Sequence, residues 1–261
     1  MPTEYQWLRQ WENAVRIDEL SRYRGRRGYS LRFLLRALGE AARKTGARRI
    51  EFGVRSLAVA TGLDHGTVAR LLHQLREEDS PFIVLVRSNY ALDADQYELV
   101  IPEADNDRAH RLRWTAGLTH ALRPAFRELG HMPALVYEAI EHSASALGSA
   151  ELIDRTQISR SGVHAALETL AAFNLIRQHR GLWSVNTGTS LIELAEQLGC
   201  IAEVQQQKTR YAVERIVWRT LVMSNRWLVS QLTSQNEAWP PWPEPPPDDA
   251  ATLFDLLEYA S

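Results

Sequence analysis

The chain has 261 residues, which is enough for two modest domains with hydrophobic cores of their own. Apolar residues make up 45 % of it, but no run approaches the roughly 18 residues that a membrane span requires, and residues 1–11 lack the apolar centre of a signal peptide. A single cysteine, Cys200, excludes an internal disulfide, and no spacing of Cys and His suggests zinc, so we expect a soluble cytoplasmic protein without metal or cofactor.

The formal net charge of −2 conceals an uneven distribution along the chain. Residues 1–131 hold 21 Lys and Arg against 17 Asp and Glu, whereas residues 132–261 hold 9 against 15. The basic excess is concentrated between Arg9 and Arg49, where 12 basic side chains accompany 4 acidic ones. A basic segment of this kind suits contact with nucleic-acid phosphates, and a solvated helical face is the alternative.

Residues 1–29 are predicted to form a basic helix and an arm. A helix over residues 4–23 is indicated by apolar positions at roughly helical spacing, which are Tyr5, Leu8, Trp11, Val15 and Leu20. Two glycines among several arginines then interrupt the pattern. Arg24, Arg26 and Arg27 are therefore predicted to lie on a flexible arm that contacts phosphates or a minor groove.

Residues 30–105 carry the clearest local pattern in the chain. Ser30 is predicted to cap a helix over residues 31–44, and residues 49–54 form a candidate strand. A short helix over residues 56–61 should end at Gly62, because glycine readily adopts the left-handed conformation of helix ends.

The helix that follows is predicted to begin after Asp64, whose carboxylate can accept from the amides of the first turn. Its apolar face is formed by Val68, Leu71, Leu72 and Leu75. Its opposite face carries His65, Thr67, Arg70 and His73. Residues 82–86 and 96–101 then indicate a hairpin. Together these elements predict a winged helix-turn-helix whose second helix presents its polar face to a DNA major groove.

A second copy of this pattern lies 95 residues downstream. Residues 152–170 align without gaps with residues 57–75, and Ser159 takes the capping place of Asp64. Residues 133–142 are predicted as the preceding helix, and residues 174–186 as a compact hairpin that turns at Gly181. Because two copies, each with its hairpin, are more specific than one match, we predict a second winged domain over residues 133–188, joined to the first by a connecting helix over residues 106–132.

The run from Thr61 to Leu72, which reads Thr-Gly-Leu-Asp-His-Gly-Thr-Val-Ala-Arg-Leu-Leu, resembles the turn and recognition helix of MarR- and GntR-type winged-helix proteins. The resemblance covers residues 30–102 and 133–186. It implies a mostly α fold with small β wings, in which two winged helices stand in tandem. Such an arrangement is similar to plasmid replication initiators. It is also similar to the kleisin-binding subunits of chromosome-organising complexes, which often do not read DNA with these helices.

The two copies are chemically unequal. In the first, Arg70 is the best candidate for a base edge, because a guanidinium can pair bidentately with guanine, and Thr67 suits a phosphate or a thymine methyl group. In the second, Ala165 stands in the place of Arg70 and Glu168 in the place of His73, so we expect a weaker reader or a scaffold. The further DNA-binding candidates are Arg55, His65, His73 and Arg87 in the first copy, and Arg160, Ser161, His164, Arg177 and Arg180 in the second.

Beyond residue 188 the sequence predicts two C-terminal helices, over residues 191–198 and 201–232, within a region that ends at residue 234. Their apolar residues either pack back on the winged domains or form the seam of a homodimer. Residues 235–261 follow as a proline-rich linker and a short acidic amphipathic segment. Its apolar residues need a groove, on this chain or on a protein partner. These candidate partner-binding residues are Leu253, Phe254, Leu256 and Leu257.

The sequence contains no phosphate-binding loop, dinucleotide fingerprint or nucleophile elbow, and we expect no catalysis. It predicts a protein that binds double-stranded DNA, as a replication initiator or a transcriptional regulator associated with the nucleoid. The alternative is a structural adaptor whose winged helices hold protein partners.

Overall fold

The structure is a computed structural model that describes residues 3–88, 94–112 and 123–224. Within these residues the chain is mostly helical, with two small antiparallel sheets. This confirms the predicted fold class of helices with small β elements. In the described part of the chain, no helix is both long enough and apolar enough to cross a membrane.

Helix α1 (Glu4–Glu19) begins at a capping box formed by Thr3 and Gln6. It buries Leu8, Trp11 and Val15 in the core. The indole Nε1 of Trp11 donates to the carbonyl of Phe82 at 3.1 Å, which ties α1 to the chain 71 residues away. The N-terminal helix is therefore an integral part of the first packed unit.

Helix α2 (Gly25–Thr45) begins six residues earlier than predicted. Its N-cap is Arg24, and Ser30 lies inside the helix rather than at its start. The early start requires a glycine at position 28, because a Cβ there would lie 2.3 Å from the carbonyl carbon of Tyr23. The prediction of a flexible arm was therefore wrong: Arg26 and Arg27 occupy the first turn of α2.

The next elements follow the predicted order: β1 (Arg49–Glu51), α3 (Val54–Thr61), α4 (His65–Arg76), β2 (Ile83–Arg87) and β3 (Gln96–Leu99). The three strands form an antiparallel sheet in the order β1-β3-β2. Gly62 ends α3 with a φ of 69°, and Asp64 accepts from the amides of Gly66 and Thr67 at 2.9 and 3.4 Å. The predicted apolar face of α4 is buried throughout.

Helix α5 (Glu103–Arg111) packs on α1 and completes the first unit, which we define as residues 3–112. Asn13 Nδ2 donates to the carbonyls of Ala109 and Leu112 at 3.1 and 3.0 Å. The predicted connecting helix over residues 106–132 was wrong in its bounds, because α5 starts at Glu103, ends at Arg111 and belongs to the first unit. Residues 113–122 lie outside the described residues, and the short helix α6 (Phe126–Leu129) follows them.

The second unit, residues 131–185, comprises α7 (His131–Glu141), α8 (Ser149–Thr156), α9 (Arg160–Ala172), β4 (Ile176–His179) and β5 (Leu182–Val185). Ser159 caps α9 by accepting from the amide of Gly162 at 3.2 Å. Arg180 and Gly181 turn the hairpin with φ of 50° and 80°, as two-residue hairpin loops require. A single bridge between Leu147 and Trp183 stands where the first unit has strand β1.

Helices α10 (Leu191–Gln197) and α11 (Cys200–Ser224) follow the second unit. Val204 and Tyr211 of α11 are buried together with Val59 of α3, so the first half of α11 packs back on the first unit. The predicted proline-rich linker and its apolar segment, with Leu253, Phe254, Leu256 and Leu257, lie outside the described residues.

Candidate nucleic-acid interface

The predicted recognition face of α4 is open to solvent. Arg70 and His73 are exposed and His65 and Thr67 are partly exposed, opposite the buried apolar face. Arg70 Nη2 donates to the hydroxyl of Thr67 at 3.1 Å, so these two side chains lie one turn apart on the same surface. A guanidinium held in this way retains further donors for a base edge or a phosphate.

The matching helix α9 exposes Arg160, Ser161 and His164 at its N-terminal end. Ala165 and Glu168, which replace Arg70 and His73 of the first copy, are exposed as well. The second copy therefore presents its cation at the start of the helix and a carboxylate two turns later. The cation suits contact with a phosphate, whereas the carboxylate of Glu168 would repel one.

The arginines of the two hairpins also differ in whether they form an ion pair. Arg87 on β2 forms an exposed ion pair with Glu51 at 3.2 Å. Arg177 and Arg180, on and after β4, are exposed and have no carboxylate partner within the described part of the chain. An exposed pair such as the one at Arg87 is weak and does not prevent a phosphate from competing for the guanidinium.

Arg55 does not belong to this surface, and its assignment from sequence was wrong. Its side chain is buried, its Nη2 pairs with Glu214 of α11 at 2.8 Å, and its guanidinium lies 5.2 Å from the ring centroid of Tyr211. Helix α11 covers α3, whereas the corresponding helix α8 buries only Leu152 and Thr156. The repeat in the sequence could not predict that α11 covers Arg55, because α11 lies outside the repeat.

The start of α2 is strongly basic. Arg24, Arg26 and Arg27 are exposed, and the helix has neither a side-chain cap nor an acidic residue in its first turn. Arg24 Nε donates to the carbonyl of Leu20 at 2.8 Å. Because a helix N-terminus already carries partial positive charge, cations there are unfavourable locally and create a site attractive to anions.

The turn between α3 and α4 and the turn between α8 and α9 line one groove of about 1100 Å³. Residues 61–63 of the first turn and residues 157–159 of the second share this lining with Gly25 and Arg26 of α2. The start of α2 therefore lies beside the turns that lead into α4 and α9. Sequence reasoning missed this arrangement, because spacing along the chain carries no information on how two units pack.

His131 and Arg127 also line the groove. The ring of His131 lies 4.3 Å from that of Phe33, and burial, with a smaller effect of Arg26, lowers its pKa from the ordinary value of 6.5. Arg127 Nη2 donates to Gln207 of α11 at 2.6 Å, and burial lowers its pKa too. These two side chains are packing groups of the groove wall.

Within the described residues no cluster of three His, Cys, Asp or Glu side chains is placed to hold a metal ion. No protein-family model matches the chain, and no curated protein sequence matches it significantly. The resemblance to winged-helix proteins therefore depends on the residues and the element order alone.

Proposed function

We propose that this protein binds double-stranded DNA through two tandem winged helices and acts without catalysis, as a replication initiator or a transcriptional regulator. The observation that carries the proposal is the shared element order of the two units. Each has a capped helix with an exposed polar face, preceded by a short helix and a tight turn and followed by a hairpin.

The proposed contacts divide by chemistry. Arg70 and Thr67 on α4 read base edges in a major groove. Arg160 at the start of α9, the hairpin arginines Arg177 and Arg180, and the start of α2 bind phosphates. The arginines among these side chains are exposed in the structure, and together they supply positive charge on a chain whose formal net charge is −2.

The overall negative charge does not by itself oppose this function, because several acidic side chains are paired with arginines away from the groove. Glu19, Glu12 and Glu138 form ion pairs with arginines of α2 away from the groove. Screening limits exposed charges to interactions within about 8–10 Å at physiological salt, so the local surface decides the attraction to DNA.

A titration of fluorescent duplex DNA by anisotropy, at several salt concentrations, tests this proposal. If the six arginines at positions 24, 26, 27, 160, 177 and 180 contact phosphates, the logarithm of the binding constant should fall with the logarithm of salt with a slope of about −5. A single strand of the same sequence is the control, and it should bind more weakly. Absence of duplex binding at about 50 mM salt would contradict the proposal.

The structural-adaptor alternative is favoured by one observation on α11. Val213, Ile216 and Val217 share one face of this helix and are 51–65 % exposed. An exposed apolar face of this kind suits a protein partner or a second copy of the chain. The same titration separates the two functions, because an adaptor that does not use DNA gives no salt-dependent duplex binding.

A further inference from the structure

Helix α2 contacts both units, and two of its arginines cross the boundary between them. Arg36 donates to both carboxylate oxygens of Glu19 on α1, at 2.9 and 3.1 Å, and also to Glu138 on α7 of the second unit. All three side chains are at most 17 % exposed. We call this boundary, where α2 meets α7 and the end of α8, the seam.

Arg32, one turn earlier, makes the second contact across the seam. Its Nε donates to the carbonyl of Tyr23 at 2.8 Å, and its Nη1 donates to the carbonyl of Thr156 at 2.8 Å. Thr156 is the last residue of α8, and the turn that leads into α9 follows it directly. The guanidinium is buried, so loss of either acceptor would leave a buried charged donor without a partner.

The seam therefore holds the second helix-turn-helix against a fixed point of the first unit. The tilted rings of Phe33 and His131, whose centroids lie 4.3 Å apart, add a packing contact in the same place. Because both turns line one groove beside the start of α2, the seam helps to fix how far apart α4 and α9 stand and how they are oriented, together with the packing of α11 on α3.

We propose that Arg32 and Arg36 are positioning residues that fix the spacing between the two recognition helices, so that the protein reads a bipartite DNA site with one preferred spacing. This inference rests on the proposed function. B-DNA completes one turn in about 10–10.5 base pairs, so each inserted base pair rotates one half of a site by about 35° relative to the other. If α4 and α9 are held rigidly relative to each other, binding tolerates little of this rotation. If they are loosely joined, binding tolerates much more.

The test begins with the site that the wild-type protein selects from random duplexes. Derivatives of this site carry one to ten extra base pairs between its halves. For the wild type, affinity should fall by about tenfold or more at five inserted base pairs, because one half of the contacts is lost. It should recover in part, at most, near ten inserted base pairs.

Glu138→Gln weakens the seam while Arg36 keeps its bonds to Glu19. The chain offers a matched control, since Arg43 of α2 bridges Glu12 on α1 and Glu40, both within the first unit, at 2.8 Å each. Glu12→Gln therefore removes a carboxylate charge from an ion pair of α2 that does not cross the seam. We expect Glu138→Gln to reduce the spacing penalty at five base pairs several-fold, and Glu12→Gln to retain the wild-type profile.

Arg32→Lys is a second variant, because a lysine keeps the charge but cannot donate to two carbonyls from one planar group. Melting temperatures show that each variant is folded at the temperature of the titration. A wild type that does not bind duplex DNA would overturn the proposed function, and with it this inference. A wild type that binds all spacings equally, or a Glu138→Gln profile identical to that of Glu12→Gln with Arg32→Lys also unchanged, would overturn the inference alone.

Discussion

Arg70 illustrates how few side chains carry the proposed reading of bases. It is exposed on α4, it is held by Thr67, and the second copy has alanine in its place. Arginine binds guanine through two parallel hydrogen bonds, whereas lysine offers only a point charge. Substitutions of Arg70 can therefore separate its paired hydrogen bonds to a base from the attraction of its charge.

We predict that Arg70→Ala weakens binding to the selected site by about 1–3 kcal/mol and relaxes the preference at one base pair. Arg70→Lys should recover most of the affinity for unrelated duplexes but not the preference, because it restores charge without the planar pair of donors. Arg108→Ala on α5 serves as the control for loss of one exposed arginine. Unchanged affinity and an unchanged selected sequence in Arg70→Ala would remove Arg70 from the interface.

The second prediction at this scale concerns His131 and pH. Burial and Arg26 lower the pKa of His131 in the folded chain below the ordinary value of 6.5, so the unfolded chain binds more protons as pH falls. The stability associated with neutral His131 is present above pH 6.5 and is lost as pH falls through the folded pKa. His131→Phe, which keeps an aromatic ring beside Phe33, should make stability less dependent on pH between 7 and 5.

Chemical denaturation at several pH values measures this difference, which for one proton is at most about 1.4 kcal/mol per pH unit. The groups that face His131 are Arg26, the ring of Phe33 and the hydroxyl of Ser30 at 3.5 Å. His164→Phe at an exposed position of α9 is the control and should keep the wild-type dependence. Parallel pH profiles for wild type and His131→Phe would show that another group causes the acid sensitivity.

At the level of elements, the sequence was sufficient to predict those helix ends, caps and turns that depend on neighbouring residues. Gly62, Asp64, Ser159 and Gly181 were each predicted to end, cap or turn an element, and the structure confirms all four. Ser30 does not cap α2, because the helix starts earlier, at Gly25. Its N-cap residue, Arg24, makes no capping hydrogen bond with its side chain. Gly28 lies against the backbone of Tyr23, and only a glycine permits this close approach, whereas helix propensity counts a glycine inside a helix as unfavourable.

The arginines at the start of α2 should have opposite effects on DNA affinity and on thermal stability. Replacing Arg24, Arg26 and Arg27 by Ala should lower duplex affinity for all sequences and make the salt slope shallower by about three units, one for each lost phosphate contact. The same change removes cations from a helix N-terminus, where they oppose the dipole, so the melting temperature should stay the same or rise.

Anisotropy at several salt concentrations and thermal melting give the two readings. Arg108→Ala with Arg111→Ala, both exposed on α5, is the control and removes two basic charges at another surface. If the triple variant keeps the wild-type salt slope while it remains folded, the arginines of α2 are a solvated surface and bind no phosphate.

Helix α11 provides the last prediction at the scale of elements. Val204 is fully buried against Val59 and Tyr211, whereas Val213 on the same helix is 54 % exposed. Val204→Ala should lower the free energy of unfolding by about 1–3 kcal/mol, because it removes buried methyl groups and leaves a cavity. Val213→Ala, the identical change at an exposed position, should alter it by less than about 0.5 kcal/mol. Equal effects in urea unfolding would show that α11 does not pack on α3.

At the level of the whole molecule, the sequence indicated two units but not their relation. The repeat predicted both helix-turn-helix patterns, and the structure has both element orders. Arg32 and Arg36 form the seam through partners 124 and 102 residues away, Thr156 and Glu138, and no periodicity relates positions so distant. Arg55 was misassigned for the same reason, because Glu214 approaches it from 159 residues further along the chain.

The central claim is that the two units together read duplex DNA, and selection of binding sites from a pool of random duplexes tests it most directly. We predict enrichment of one sequence with two conserved blocks, bound about a thousandfold or more tightly than unrelated duplex at physiological salt. The block assigned to α4 should contain the guanine whose preference Arg70→Ala removes. Repeated selection by the folded, purified chain that yields no enriched sequence would contradict the account.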